Sequence, residues 1–254
     1  MASKFLKKML RALFFYDPTY VDWYNTTSFK EVGQKYLNIV SKHLASHNKE
    51  NLKILDLGCH TGRTTIPLLK QGYSGTVGID TSRMAVHTTR KTLKRLKLEG
   101  SFVRSEMEKY LKKQPVESAD MVICLETLYL CPNYEKILEL VLRALKKGGT
   151  FFISFRNRYY IFHNLIERMR FDDAHFVLHN KDGHIKDEGW NWQTLADIEE
   201  VMLKNNLKIL DMVEHGSSKP SEEKLQAYLS SYSQDKALPL PSFSPKDILI
   251  VGKK

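Results

Sequence analysis

The chain reads as an α/β protein with a Rossmann-like, doubly wound, mostly parallel sheet of seven strands and an antiparallel strand at one edge. Three observations predict this. Apolar, strand-length runs alternate with amphipathic helical stretches through the first two thirds of the chain, the rhythm of βαβ units. The first of these strands, "LKILDL", runs straight into the glycine turn "GCHTG". In the last third, "LKILDMVEH" and "DILIVGKK" follow one another with no strand-length pattern between them, which suits antiparallel pairing at an edge.

The elements follow in order. In "SKFLKKMLRALFFY", Phe5, Leu6, Met9, Leu10, Leu13 and Tyr16 share one side at about 100° per residue, with Lys4, Lys7, Lys8 and Arg11 opposite. Such a basic amphipathic helix can lie on an anionic membrane, act as a targeting segment, or close over the domain as a lid. With the aromatic loop "YDPTYVDWYN" it forms an expected N-terminal region, 1–27, ahead of the main domain at 28–254. Ser28 caps a helix through about His47, with Val32, Tyr36, Ile39, Val40 and Leu44 at helical spacing. Then come the strand "LKILDL", a helix from Gly62 to Gln71, the strand "GTVGID", a helix from Ser82 to Leu98 and the strand "SFVRS". A helical turn over Glu106 to Lys112 leads to the strand "ADMVICLE", a helix from Asn133 to Lys147 closed by Gly148-Gly149, and the strand "TFFISF". Past this strand the spacing predicts a helix over Tyr159 to Met169, a polar, histidine-bearing loop to Gln193, and a helix from Thr194 to Asn205. A helical insertion at Ser221 to Ser231 and a proline-rich loop separate the last two strands. The stretches near 157–193 and 216–245 are the expected substrate-loop insertions.

The 254 residues, 42% hydrophobic and 27% charged, suffice for one sizeable core with an insertion. No run approaches the roughly 20 apolar residues of a bilayer span, so membrane contact would be peripheral. The three cysteines, Cys59, Cys124 and Cys131, lack metal-ligand spacing and suit a reducing, cytoplasmic compartment. The net charge of +10 can attract nucleic acid or anionic lipid, although the basic residues lie along helix-like stretches where solvated faces explain them.

The glycine turn carries the most chemistry. A strand containing Asp56, then Gly58 and Gly62, then a helix, with Asp80 ending the next strand about 20 residues on, has the layout of a ribose-binding α/β site. Glycines let backbone approach a ligand, and a strand-end carboxylate can accept both ribose hydroxyls. A dinucleotide site needs a tight G-x-G-x-x-G turn aimed at pyrophosphate, whereas this turn is D-x-G-x-x-x-G with His60 at the middle position. Histidine is among the residues enriched at positive φ, so a role in shaping the turn is the expected one, ahead of a role as a base.

"ILDLGCHTGR", "VGID", "ADMVICLETLYL" and "LKKGGTFFISF" stand in the order and spacing of class I S-adenosylmethionine-dependent methyltransferases, and the chain resembles that family from about Ser28 to Val251. The resemblance implies that S-adenosylmethionine is the cofactor. It implies that Asp56 and Gly58 hold its methionine end, Asp80 its ribose, and Glu106 the adenine amino group, although "RSEME" replaces the family's more usual Gly-Asp pair. Leu125 and Glu126 would line the transferred methyl, with Cys59, His60, Gly62, Thr81 and Met107 completing the cofactor-lining set. The reaction so implied is in-line methyl transfer to the oxygen, nitrogen or carbon of a small-molecule acceptor. "SFRNRYY" is similar to a segment of methyltransferases acting on small molecules and quinone precursors.

Acceptor-side residues should come from loops at the carboxyl ends of the strands. Tyr20, Trp23, Tyr24, Arg156, Asn157, Tyr160 and Trp192 are the expected substrate-binding residues, and His163, His175 and Tyr129 the candidate catalytic ones. His175 and His179 can share a helix face and bind metal. Acids in ligand-like register are few and no cysteine joins them, so pocket or surface histidines are expected and no metal site. An RNA methyltransferase using the basic surface is the alternative, weakened by the lack of an Asn-Pro-Pro-Tyr motif and of an RNA-binding signature. A noncatalytic scaffold ranks below both, because the cofactor residues are intact.

Overall fold

A computed structural model of the chain describes residues 22, 25–26, 29–44, 49 and 52–254. The expected N-terminal amphipathic helix and the expected cap at Ser28 lie outside the described residues.

The seven-stranded sheet runs β3-β2-β1-β4-β5-β9-β8. Its strands are β1 (Ile54–Leu57), β2 (Thr76–Asp80), β3 (Ser101–Arg104), β4 (Ala119–Cys124), β5 (Leu145–Arg156), β8 (Lys208–His215) and β9 (Asp247–Lys253). β1 pairs in parallel with β2 and β4, and β2 with β3; β9 runs antiparallel to both β5 and β8. The mostly parallel sheet with an antiparallel pair at one edge is thus the predicted architecture. A small separate ribbon is formed by β6 (Asp182–Ile185) and β7 (Gly189–Asn191).

The described residues group into two compact units, one ending at Ile123 with Leu140–Lys146 added, the other formed by Cys124–Glu139 and Lys147–Lys254. The first holds β1 to β4 with α1 (Gln34–Leu44), α2 (Thr65–Lys70), α3 (Arg83–Leu96) and α4 (Met107–Lys112). A π-helical turn, Phe29–Gly33, leads into α1. All four residues of β1 are buried, as a central parallel strand requires. Cys59, Ile66, Leu69, Val86, Leu93 and Phe102 form one apolar cluster beside it. Ser82 caps α3 by accepting the Ala85 N–H, and Lys97 ends it in the left-handed conformation.

Three boundaries differ from the sequence reading, each for a local reason. α2 begins at Thr65 instead of Gly62, because Gly62 at φ +82° closes a turn onto the Cys59 carbonyl before the helix can propagate. α5 (Tyr134–Ala144) stops at Ala144. The Arg143 and Ala144 carbonyls accept the Glu117 and Ser118 N–H groups, and β5 starts at once. Gly148-Gly149 therefore lies within β5, exchanging backbone hydrogen bonds with Lys254. The expected loop after α6 (Arg158–Glu167) contains a helix, α7 (Phe171–His179), and the β6–β7 ribbon.

In the second unit α6 and α7 pack Ile161, Phe162, Leu165, Ile166, Ala174 and Val177 with Trp192 and with Tyr228 of α9 (Glu222–Ser231). α8 (Leu195–Lys204) starts with a full capping box between Thr194 and Asp197.

Candidate functional site

The turn after β1 has three alternate positions in positive-φ backbone: Gly58 at φ +74°, His60 at +46° and Gly62 at +82°. His60 thus occupies the left-handed region that histidine tolerates better than most side chains. A Cβ on Gly62 would stand 2.7 Å from Ile66 Cγ1 and 3.1 Å from Thr89 Cγ2, so helix and turn close around a hydrogen atom there.

Four of the five amides from Gly58 to Gly62 are spent internally. Gly58 and Cys59 N–H donate to the Ile79 carbonyl (2.7 and 3.1 Å), and Gly62 N–H donates to the Cys59 carbonyl (2.8 Å). His60 N–H donates to Asp80 Oδ2 (2.8 Å). Pyrophosphate sites work the other way, with turn and helix amides pointed at the anion. Asp80 Oδ1 takes the Ser82 N–H (2.7 Å), so both carboxylate oxygens are fixed by backbone and each keeps a further acceptor lone pair. Two oriented acceptors side by side fit a vicinal diol, which is the demand a ribose makes.

Asp56 lies one strand over, paired in register with Gly78 of β2. It is 3% exposed and accepts the Thr65 hydroxyl at 2.5 Å. Burial pushes its carboxyl up to about 6, against the lowering effects of Thr65 and Arg63. Burial likewise raises the Cys59 thiol well above its usual range, so this cysteine is an apolar wall and no nucleophile. Thr81 is exposed and its carbonyl receives Arg104 Nε (3.3 Å). Glu106 is an exposed N-cap of α4 and Met107 is buried behind it.

In the second unit Leu125 is buried and Glu126 sits at φ +53°, its N–H donating to Ser154 Oγ (2.6 Å). Arg156, ending β5, donates from Nε to Asp247 Oδ1 (2.8 Å) and lays its guanidinium 3.9 Å from the Tyr129 ring centre and 5.8 Å from that of Tyr160. Lys246 Nζ stands 3.7 Å from Glu126 Oε1. Asn157 caps α6 by accepting the Tyr159 N–H. Trp192 is fully buried in the core cluster, its indole N–H on the Asn180 carbonyl.

His163 is buried with Nδ1 3.2 Å from the Ser218 carbonyl and Nε2 2.9 Å from that of Pro241, and burial lowers its pKa. The neutral ring has a single N–H, which Nε2 can donate to the Pro241 carbonyl, while Nδ1 also stands 3.3 Å from the Ser218 hydroxyl and can accept from it. His175 faces Asp235. Tyr20, Trp23 and Tyr24 lie outside the described residues. Thr65, Asp247 and Asp235 escaped the sequence reading, which took Ser82 only as the start of a helix after a strand-end acid.

The sheet order, the glycine turn and the acid at the neighbouring strand end are those of the class I S-adenosylmethionine-dependent methyltransferases, whose cofactor is S-adenosylmethionine. A family model described as a methyltransferase domain matches residues 48–214, and the chain belongs to that family. Among curated relatives, a probable S-adenosylmethionine-dependent methyltransferase of Saccharomyces cerevisiae is 27% identical over 131 residues, covering 50% of this chain and 44% of its own. A ubiquinone biosynthesis O-methyltransferase of Rickettsia akari is 28% identical over 122 residues, 47% of each chain. The chain thus spans less than half the length of these relatives. A solved S-adenosylmethionine-dependent methyltransferase from Archaeoglobus fulgidus shares the fold at a TM-score of 0.56 and 14% identity, over 89% of this chain and 96% of that one.

Proposed function

We propose that this chain is an enzyme that transfers the methyl group of S-adenosylmethionine to an oxygen, nitrogen or carbon of a small-molecule acceptor. The carrying observation is the turn from Gly58 to Gly62, in which the Gly58, Cys59, His60 and Gly62 amides are consumed internally while Asp80 is left as an oriented pair of acceptors. That arrangement fits a nucleoside without a phosphate to cradle. Asp80 would hold the ribose hydroxyls, Asp56 and Gly58 the cationic methionine end, and Glu106, Thr81 and Met107 the adenine side, with Cys59, His60 and Gly62 as walls. Bound S-adenosylmethionine supplies an electrophilic methyl on a sulfonium. The protein's part is then to align the acceptor and exclude water.

For the acceptor side, Arg156, clamped by Asp247 and faced by Tyr129 and Tyr160, offers a cation and aromatic faces suited to a planar or acidic acceptor. Tyr129 is the catalytic candidate that this arrangement favours, with Asn157 fixing the loop. The occupied nitrogens of His163 give that ring a positioning task. The name of the Rickettsia relative lends support to a phenol-like oxygen acceptor. The RNA alternative draws no support from the comparisons. A cytoplasmic enzyme whose N-terminal region, 1–27, rested its basic amphipathic stretch on a membrane surface would suit an apolar acceptor.

Calorimetry with S-adenosylmethionine tests the reading. Saturable binding to the wild type, weakened by at least about tenfold in Asp80→Ala through loss of the paired ribose hydrogen bonds, is the expected result. No binding at millimolar cofactor would refute it.

A further inference from the structure

Sixty residues of chain separate His175 from Asp235, yet the fold brings them together with His179 into one cluster. α7 forms because Ala174, Val177 and Leu178 bury on one side and Asp172 and Asp173 fill its first turn. His175 and His179 sit one turn apart on another side. Asp235 arrives on the 3-10 turn Ser233–Ala237, with no exposed surface. Its Oδ2 lies 2.9 Å from His175 Nδ1 and its Oδ1 2.8 Å from His179 Nε2.

We propose that His175, His179 and Asp235 form a binding site for a divalent transition-metal ion of the zinc type, with three protein ligands and one position left to water. The three donor atoms already lie within 4.8 Å of one another. Metal–nitrogen and metal–oxygen bonds of about 2.0–2.2 Å in a tetrahedral site place neighbouring ligand atoms about 3.3–3.6 Å apart, so an ion enters with rotations of the two imidazoles that open the present contacts to Asp235. Two imidazoles and a carboxylate suit zinc, nickel or cobalt and not calcium or magnesium, which take oxygen donors. The histidine side chains are 31% and 42% exposed, which gives an entry path and room for the water ligand. Outer groups hold the carboxylate and one imidazole in place. The Tyr228 hydroxyl donates to Asp235, and Tyr232 stacks on His175 at 4.3 Å while its own hydroxyl is held by Asp172. The site is independent of the methyl-transfer reading and ties α7 to the segment after α9.

The test uses the full chain, stripped with a chelator and titrated with zinc chloride by calorimetry and with cobalt(II) by visible absorption. One equivalent of zinc should bind and raise the unfolding midpoint, and cobalt should give d–d bands shifted from those of the aqueous ion. His179→Ala, at a half-exposed position, should weaken zinc by at least about tenfold while circular dichroism and S-adenosylmethionine binding stay unchanged. His184→Ala should leave zinc affinity as in the wild type. Asp235→Asn should abolish binding, but it also disturbs a buried hydrogen-bond centre, so His179→Ala decides. If the wild type takes up no zinc, or His179→Ala binds it equally well, the three groups form a hydrogen-bonded cap without an ion and the proposal falls.

Discussion

Asp56 has the most consequential single side chain, because its carboxyl is buried and shifted up to about 6. A folded-state value above the unfolded one means that the native protein holds this proton more tightly. Its stabilising contribution is full below about pH 4 and is lost as pH rises through 6, on the order of 2–3 kcal/mol. Asp56→Asn should therefore gain stability over the wild type between pH 4 and 7, read from paired denaturant melts; a difference flat with pH would contradict the burial argument. If Asp56 faces the cationic end of the cofactor, affinity should weaken as pH falls through the same window. Gly62→Ala should cost about 1–3 kcal/mol, since its φ of +82° and the 2.7 Å approach to Ile66 both oppose a methyl group. His60→Gly should stay within about 1 kcal/mol of wild type, because the left-handed backbone it occupies is free to glycine. The same denaturant melts compare both variants. The glycines and acids of this turn were legible as letters. The pairing of His60 N–H with Asp80, which distinguishes a nucleoside turn from a phosphate turn, depends on strand ends that meet only in the folded sheet.

At the scale of elements, the join between β5 and β9 rests on a buried ion pair at their register, Arg156 against Asp247. Removing one partner strands a charge in low dielectric, so Asp247→Ala should lose about 3–5 kcal/mol in denaturant unfolding. Replacing both by apolar residues, Arg156→Met with Asp247→Leu, should recover more than half of that. A single variant no worse than the double would show the pair to be solvated. Strand and helix order could be read from periodicity because parallel strands are continuous apolar runs and helices carry stripes. α7 was missed as a helix because its nine residues mix buried apolar positions with two histidines and two aspartates, and only packing on α6 decides for helix. The glycine pair misled for a similar reason. Gly148-Gly149 resembles a helix stop, but α5 ends earlier on amides from the loop before β4.

At the scale of the whole molecule, a net charge of +10 and the basic N-terminal segment make a testable pair. No helix among the described residues is long and apolar enough to cross a membrane. If the N-terminal segment contacts lipid, the protein should float with vesicles rich in anionic lipid, lose this above about 0.3 M salt, and lose it on deletion of residues 1–16. Flotation that survives the deletion would refute a membrane-surface helix. The sequence by itself determined the class of fold and the place of the cofactor turn, because periodicity, glycine conformation and strand-end acids are local properties carried by neighbouring residues. Only the tertiary structure decided which amides the turn spends, that Arg156 is clamped by a residue 91 positions away, and that Asp235 completes a cluster with His175 and His179. Those outcomes depend on contacts between distant segments, which are set by the packing of the whole chain and leave no mark on local spacing.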